Sequence, residues 1–205
     1  MEEGIRIIEQ GTSEVVIKKS RFLGTAANVE SEEEARAIVA AIRKEHYSAR
    51  HVCYAYSVGE SNPALKFSDD GEPGGTAGKP MLDVITNSGI SNIVVVVVRY
   101  FGGVLLGTGG LVRAYTQAAQ EAVNAAGKKT ICLSCIYDIT LDYADFDKVK
   151  YLIDNTDGAT CDAKYSDKVT IRLIVPEKSA ATLIDQINEK TAARSVAKLL
   201  DTKML

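Results

Sequence analysis

The chain lacks the residues from which most hydrolases and metalloenzymes build their active sites. It has no His-Glu-x-x-His or Gly-x-Ser-x-Gly motif, and no cysteine stands beside a positioned base. Four unevenly spaced cysteines in 205 residues do not make a disulfide framework and are expected to be reduced thiols. We therefore predict no catalytic residue and favour a non-enzymatic protein over an enzyme. The histidines and cysteines are His46, His51, Cys53, Cys132, Cys135 and Cys161.

Long hydrophobic runs and an excess of basic charge are also missing. No stretch reaches the about 18 apolar residues that cross a bilayer, and the start Met1-Glu2-Glu3 differs from a basic leader. We expect a cytoplasmic protein with no membrane partner. Before Gly127 there are 12 basic and 15 acidic residues, and 12 of each follow it. This balance counts against phosphate binding over a whole face but allows a local basic patch. Its candidate cations are Lys18, Lys19, Arg21, Lys79, Arg99 and Arg113.

The most informative stretch that is present runs from five consecutive valines, Val94–Val98, into a glycine-rich segment. Five β-branched apolar residues in a row predict a central strand buried on both faces. Apolar residues at helical spacing over 111–126 predict a helix, which Gly127 would end. Between them lies the glycine segment, residues 101–110, with five glycines in nine residues: Gly102, Gly103, Gly107, Gly109 and Gly110.

Glycine permits positive φ angles and close approach by another backbone, which favours a binding role for this segment. The free amides at the start of the following helix would attract an anion, and Arg99 and Arg113 flank the segment. The alternative is a tightly packed corner between strand and helix. We predict a ligand or RNA site made by the five glycines together with Lys79, Arg99, Tyr100 and Arg113.

An acidic loop, residues 68–72, precedes this region and contains Ser68, Asp69, Asp70 and Glu72. Such a cluster could hold a divalent cation or move a proton. We favour a different role, in which the carboxylates brace Arg99 and Arg113 through ion pairs.

Metal and cofactor sites are not expected. His51 and Cys53 would share one face of a strand but need a further zinc ligand, and Cys132 and Cys135 would point to opposite faces. The glycines of 71–80 fail the P-loop spacing, because Pro73 and Pro80 occupy required positions. A dinucleotide fingerprint at 107–110 lacks its acidic partner. A phosphate site at 107–110 remains open by analogy with other folds.

The remaining pattern predicts an α+β chain of two domains, residues 1–127 and 128–205. The first would contain a hairpin around 11–13, a helix from the capping box at Ser31 to Glu45, a strand over 52–58, a polar stretch over 59–64 and a helix from Pro80 to Gly89. A polar hinge over 127–130 would lead into strand, helix, strand, strand, helix, strand, which is the ferredoxin-like order.

Four stretches resemble the IMPACT family, in its bacterial YigZ-like branch. They are Arg99 to Tyr115, Ser68-Asp69-Asp70-Gly71-Glu72-Pro73, Lys18-Lys19-Ser20-Arg21-Phe22 and His51-Val52-Cys53-Tyr54-Ala55-Tyr56. The resemblance implies an N-terminal domain like domain 2 of ribosomal protein S5, then a ferredoxin-like domain, a pair similar to two consecutive domains of a translocating elongation factor. It points to translation and RNA. Eukaryotic relatives regulate a translation-control kinase pathway through an extra N-terminal domain, for which no room is expected before Ile5, so that role is not carried over.

We therefore predict a non-enzymatic cytosolic regulator or accessory factor linked to translation, which binds RNA or a ribosome-associated surface through the glycine segment and its arginines. Tyr100, Phe101 and Tyr115 could stack on bases, although packing is favoured for Phe101 and Tyr115. One alternative is an enzyme or switch that binds a phosphorylated small molecule at the same helix start. Another is a protein-interaction module.

Overall fold

A computed structural model describes residues 3–60 and 62–205, so that Met1, Glu2 and Ser61, which fall in the predicted start and in the polar stretch 59–64, lie outside it. The chain divides into two compact units. The N-terminal unit comprises residues 4–130, and the C-terminal unit comprises residues 131–205 together with Glu3. The predicted α+β fold class with two domains is confirmed.

The N-terminal unit is built on a five-stranded antiparallel sheet. The strands are β2 (Gly11–Ile17), β3 (Ser20–Asn28), β4 (His51–Val58), β5 (Ala64–Ser68) and β6 (Ile93–Tyr100), in the order β2-β3-β6-β4-β5. The valine run lies in β6, at the centre of this order, and each valine is at most 1% exposed. The predicted central strand is confirmed.

Three helices cover the two faces of this sheet: α1 (Glu32–Glu45), α2 (Gly78–Ser88) and α3 (Thr108–Ala125). Val95 and Val97 share a core with α2 and α3, whereas Val94, Val96 and Val98 share a core with α1. Alternating side chains of β6 thus serve both cores, which is why five consecutive positions are apolar. Ser31 caps α1 by accepting a hydrogen bond from the Glu34 N–H at 3.1 Å, as the capping box predicts.

The hairpin predicted around residues 11–13 is wrong. β2 begins at Gly11 and pairs with β3 through a two-residue turn at Lys18 and Lys19, whose φ angles are 46° and 66°. Gly11 marks a close approach instead of a turn, because a Cβ there would lie 2.1 Å from the Ala122 carbonyl oxygen of α3. β1 (Glu3–Ile7) stays outside this sheet, and its Ile5 forms a parallel bridge with Ile90.

The C-terminal unit has the predicted ferredoxin-like order. Its elements are β7 (Lys128–Leu141), α4 (Tyr143–Asp154), β8 (Thr160–Tyr165), β9 (Val169–Pro176), α5 (Glu177–Lys190) and β10 (Val196–Met204). The sheet has five strands: β10, β7, β9 and β8 are antiparallel neighbours in that order, and β1 also pairs with β7. β7 begins at Lys128, so most of the predicted hinge over 127–130 is strand. Across the described part of the chain, no helix combines the length and apolarity that a membrane crossing requires.

Candidate functional site

The acidic loop and the residues on either side of the glycine segment meet at Glu72. One oxygen of this carboxylate, Oε1, accepts a hydrogen bond from Arg99 Nη1 at 2.7 Å and another from the Tyr115 hydroxyl at 2.8 Å. The side chains of Arg99 and Glu72 are only 7% and 3% exposed. Glu72 therefore joins the end of β6 to α3, through a buried ion pair with Arg99 and a hydrogen bond from Tyr115.

Cys53 extends this network below the acidic loop. Its thiol donates to the Asp69 carbonyl oxygen at 3.0 Å and to the Tyr115 hydroxyl at 3.4 Å. Burial raises the pKa of the Cys53 thiol to about 12, and burial also raises the pKa of Tyr115. Both groups are therefore neutral at physiological pH, and Cys53 is not a thiolate nucleophile.

Asp69 fills the anion-binding end of α2. Its Oδ1 accepts from the N–H groups of Ala77 and Gly78 at 2.9 and 2.8 Å, and its Oδ2 accepts from that of Gly75 at 2.8 Å. Burial acts to raise the pKa of Asp69, but these backbone bonds outweigh it and the pKa is lowered. The N-terminus of α2 is therefore occupied by the protein's own carboxylate.

Asp70 ties the same loop to α1 and β4. Its Oδ1 accepts from Arg43 at 2.7 Å, and its Oδ2 accepts from the Val52 N–H at 2.7 Å. Burial opposes ionisation, but Arg43 and the Val52 N–H together lower the pKa of Asp70. Ser68 supports the turn by accepting from the Asp70 N–H at 3.2 Å. All four of these acidic-loop residues thus accept hydrogen bonds from backbone N–H or arginine groups within the unit.

Two of the predicted cations, Arg99 and Lys79, are engaged by carboxylates within the protein. Arg99 is buried, and its guanidinium carbon lies 5.5 Å from the ring centroid of Phe22 and 5.6 Å from that of Phe101. Lys79 forms an ion pair with Asp83. Arg113 is exposed on α3, and in the described residues its side chain has no ion pair, so the acidic loop does not brace it.

The aromatic candidates also differ in availability. Tyr115 is fully buried, as its packing role predicts, and the Tyr100 hydroxyl lies 2.9 Å from His46 Nδ1. Phe101, by contrast, is 51% exposed.

The five glycines of the segment differ in the space around them and in backbone conformation. A Cβ on Gly102 would lie 2.0 Å from the Lys19 carbonyl carbon, so Gly102 is required by contact within the protein. Gly103 and Gly107 have φ angles of 84° and 73° with open space beside them, and Gly109 also faces open space. A Cβ on Gly110 would lie 3.0 Å from Leu106. Three of the five therefore leave backbone accessible to a partner.

The start of α3 contrasts with that of α2. Its N-cap is Gly107, and no side chain caps it. The residues around it are exposed and apolar, with Val104 at 43% and Leu105 at 81% exposure. The accessible site is thus exposed backbone edged by apolar side chains, and the β2–β3 turn contacts it at Gly102.

Sequence reasoning missed two participants. The sequence around Arg43 gives no sign of its bond to Asp70, because an arginine on the exposed side of an amphipathic helix is common. Tyr115 was predicted to pack in the core, but its hydrogen bond to Glu72 was not predicted. His51 was considered for zinc, but its Nδ1 lies 2.8 Å from the Asp70 carbonyl oxygen. Among the described residues, no group of three or more His, Cys, Asp and Glu side chains could hold a metal.

Comparisons with known proteins agree with these motifs. Residues 18–123 match the Impact N-terminal domain, and residues 139–194 match a domain of unknown function, DUF1949. The chain is 37% identical over 187 residues to the IMPACT family member YvyE of Bacillus subtilis, covering 91% of this chain and 86% of YvyE. It is 40% identical over 167 residues to YigZ of Escherichia coli, covering 80% and 82%.

A solved structure described as a hypothetical protein is similar along the whole chain. It is 34% identical, the alignment covers 98% of both chains, and the TM-score is 0.65. The matched residues 18–123 contain all four stretches from which the resemblance was inferred. The chain belongs to the IMPACT family.

Proposed function

We propose that this chain is a non-enzymatic accessory factor linked to translation, and that it binds RNA or a ribosome-associated surface at the glycine segment. The link to translation comes from what the family resemblance implies. The observation that carries the binding site is the exposed glycine segment beside three cations, Lys18, Lys19 and Arg113, for which the described residues offer no ion-pair partner.

The contact between Gly102 and Lys19 places the β2–β3 turn directly beside the glycine segment. Lys18 and Lys19 are both exposed at this turn. Phosphate groups are attracted by lysine as a point charge and by unpaired backbone amides at a helix start. The two lysines and the uncapped start of α3 therefore supply the same kind of contact from neighbouring elements.

Arg99 takes a supporting role in this proposal. It is buried and its Nη1 is bonded to Glu72, so it cannot reach a phosphate without breaking an ion pair. It holds Phe101 and the acidic loop in place. The ligand contacts then belong to Lys18, Lys19, Arg113 and the open glycines Gly103, Gly107 and Gly109.

A salt titration with matched variants tests the proposal. The affinity of a fluorescently labelled single-stranded RNA would be measured by anisotropy between about 50 and 200 mM salt. Replacing Lys18, Lys19 and Arg113 by glutamine should weaken binding and make the slope of log K against log salt shallower by about 2, since each single-strand phosphate contact contributes about 0.7. The control replaces Lys44, Arg50 and Lys129, three exposed cations elsewhere in the unit, by glutamine.

Equal loss in both triple variants would mean that only net charge matters and would reject the site. Ribonuclease treatment during co-purification from cells separates RNA from a protein surface, because a partner retained after digestion is held by protein contact.

The uncapped start of α3 also favours the second candidate, a phosphorylated small molecule. A thermal-shift screen with nucleotides tests it, since a ligand that binds the native state raises the melting temperature. No shift with any nucleotide would reject this alternative.

A further inference from the structure

The Arg99 guanidinium contacts two aromatic rings, one buried and one exposed. Phe22 is fully buried, the Arg99 guanidinium lies over its ring, and the same guanidinium lies over the ring of Phe101. Phe101 is 51% exposed. It therefore presents an aromatic ring to solvent while contacting the buried Arg99 guanidinium.

The support behind Phe101 is fixed from two directions. Glu72 holds Arg99 at 2.7 Å, and Gly102, the residue after Phe101, packs against the Lys19 backbone. Arg99 Nε is buried and has no hydrogen-bond partner in the described residues. Burying a donor without a partner costs stability, so core packing alone does not favour this arrangement. An aromatic side chain held in this way loses little further freedom when a ligand stacks on it.

Resting on the proposed function, we infer that the exposed face of Phe101 is a stacking platform for one unpaired nucleobase of single-stranded RNA. Bases stack on aromatic rings largely without regard to sequence, because every base has a π-face. The Lys19 backbone packs against Gly102, the residue after Phe101, and Lys18 precedes it in the same turn, so the two lysines would meet the phosphates that flank the stacked base. A cationic surround matches a polyanion with splayed bases better than it matches an apolar peptide.

Among the three aromatic candidates, Tyr100, Phe101 and Tyr115, Phe101 is the one whose ring is available to stack on a base. Tyr115 is buried, and the Tyr100 hydroxyl is bonded to His46. Leu105 is more exposed than Phe101 but has no ring, so it provides a matched control for loss of an exposed apolar side chain in the same segment.

The chain contains no tryptophan, which allows a direct optical test. Phe101→Trp places a single indole at the platform. We expect its fluorescence to be quenched on addition of a single-stranded oligouridine, and not by a double-stranded RNA of the same length, whose bases are already stacked on each other. In anisotropy measurements with the labelled oligouridine, Phe101→Ala should weaken binding about tenfold, Phe101→Trp should retain it, and Leu105→Ala should leave it unchanged.

The possible outcomes separate the platform from the proposed function. If the oligouridine binds with the expected salt dependence but Phe101→Ala binds equally well and the indole is not quenched, the platform is wrong and the RNA site stands. If double-stranded RNA quenches the indole equally, an unpaired base is not the ligand and the platform is also rejected. If no RNA binds to the wild-type chain, both are rejected. A thermal melt of each variant confirms that the fold is retained.

Discussion

At the scale of single residues, Arg99 shows how a basic side chain in a glycine-rich motif can serve the fold. A buried ion pair contributes little net stability relative to an apolar pair, but removing one partner leaves an uncompensated buried charge. Glu72 is the only carboxylate bonded to Arg99 in the described residues. The stability of this region therefore depends strongly on Glu72.

Glu72→Gln should lower the free energy of unfolding by about 3 kcal/mol, because the amide cannot neutralise the Arg99 guanidinium. Urea unfolding monitored by circular dichroism measures the change. Glu9→Gln, at an exposed position without a side-chain partner among the described residues, is the control and should change stability by less than about 0.5 kcal/mol. Equal effects of the two substitutions would contradict the structural role of the pair.

Two glycines of the same segment should respond oppositely to alanine. Gly102→Ala introduces a Cβ into the Lys19 backbone and should destabilise by about 2 kcal/mol or more. Gly109→Ala enters open space in the first turn of α3 and should be neutral or stabilise by up to about 1 kcal/mol. Thermal denaturation of the two variants compares them directly, and a similar loss in both would show that the segment is uniformly constrained.

At the scale of elements, the N-termini of α2 and α3 differ in how their backbone N–H groups are capped. Asp69 satisfies three backbone N–H groups before and at the start of α2, whereas α3 begins at a glycine without a side-chain cap. The stabilisation of α2 therefore depends on an ionised carboxylate, and it must vary with pH.

Asp69→Ala should cost about 2 kcal/mol at pH 7, since hydrogen bonds to a charged acceptor are stronger than neutral ones. The pKa of Asp69 is lower in the folded chain than its ordinary value of about 3.9. Its contribution is therefore complete above about pH 4 and is lost as the pH falls through the folded pKa. The free energies of unfolding of wild type and variant would be measured in urea from pH 7 to pH 3.5. The difference between these two free energies should become smaller as the pH approaches 3.5.

Asp83→Ala is the control for that series. Asp83 lies on the exposed side of α2 and pairs with Lys79, so its removal should cost less than about 0.5 kcal/mol. If the loss of unfolding free energy caused by Asp69→Ala stays constant down to pH 3.5, ionisation of the Asp69 carboxyl does not stabilise α2.

Most helices and strands could be predicted from the sequence, but the pairing of the strands was less predictable. The valine run, the Ser31 capping box and the terminal glycines Gly89 and Gly127 gave strong local signals for β6, α1, α2 and α3. The β2–β3 hairpin was misplaced because Lys18 and Lys19 carry none of the usual turn chemistry. β5 was not predicted, since its five residues include Lys66 and follow a polar stretch.

The candidate site was predictable only as a neighbourhood. The carboxylate that pairs with Arg99 came from the predicted loop, but nothing in the spacing shows which of Asp69, Asp70 and Glu72 reaches it. The choice depends on the path of residues 68–78 over the end of the sheet, which is set by tertiary contacts.

At the scale of the whole molecule, charge is distributed so that a polyanion site must be local. On the face of the C-terminal sheet opposite α4 and α5, the cross-strand neighbours Lys198, Asp138, Arg172 and Asp162 alternate in sign. Arg172 bonds both oxygens of Asp138 at 2.6 and 3.0 Å. This face is electrically balanced, so it offers no basic patch to a polyanion.

The four cysteines should report on the folding of the whole chain. Cys53 is fully buried with its pKa raised to about 12, and Cys132 is partly exposed. At pH 8 iodoacetamide should modify Cys132 in the folded protein and should modify Cys53 only as urea unfolds the N-terminal unit. Peptide mass spectrometry across a urea series measures both. Modification of Cys53 in buffer at the rate of Cys132 would contradict its burial.

Under the proposed function, the β2–β3 turn trades stability of the hairpin for ligand binding. A two-residue turn with positive φ at both positions strongly favours Asn-Gly, and each lysine there costs on the order of 1 kcal/mol. Lys18→Asn combined with Lys19→Gly should therefore raise the melting temperature while weakening RNA binding. Selection for the ligand would then have kept this hairpin below the stability that its own backbone allows.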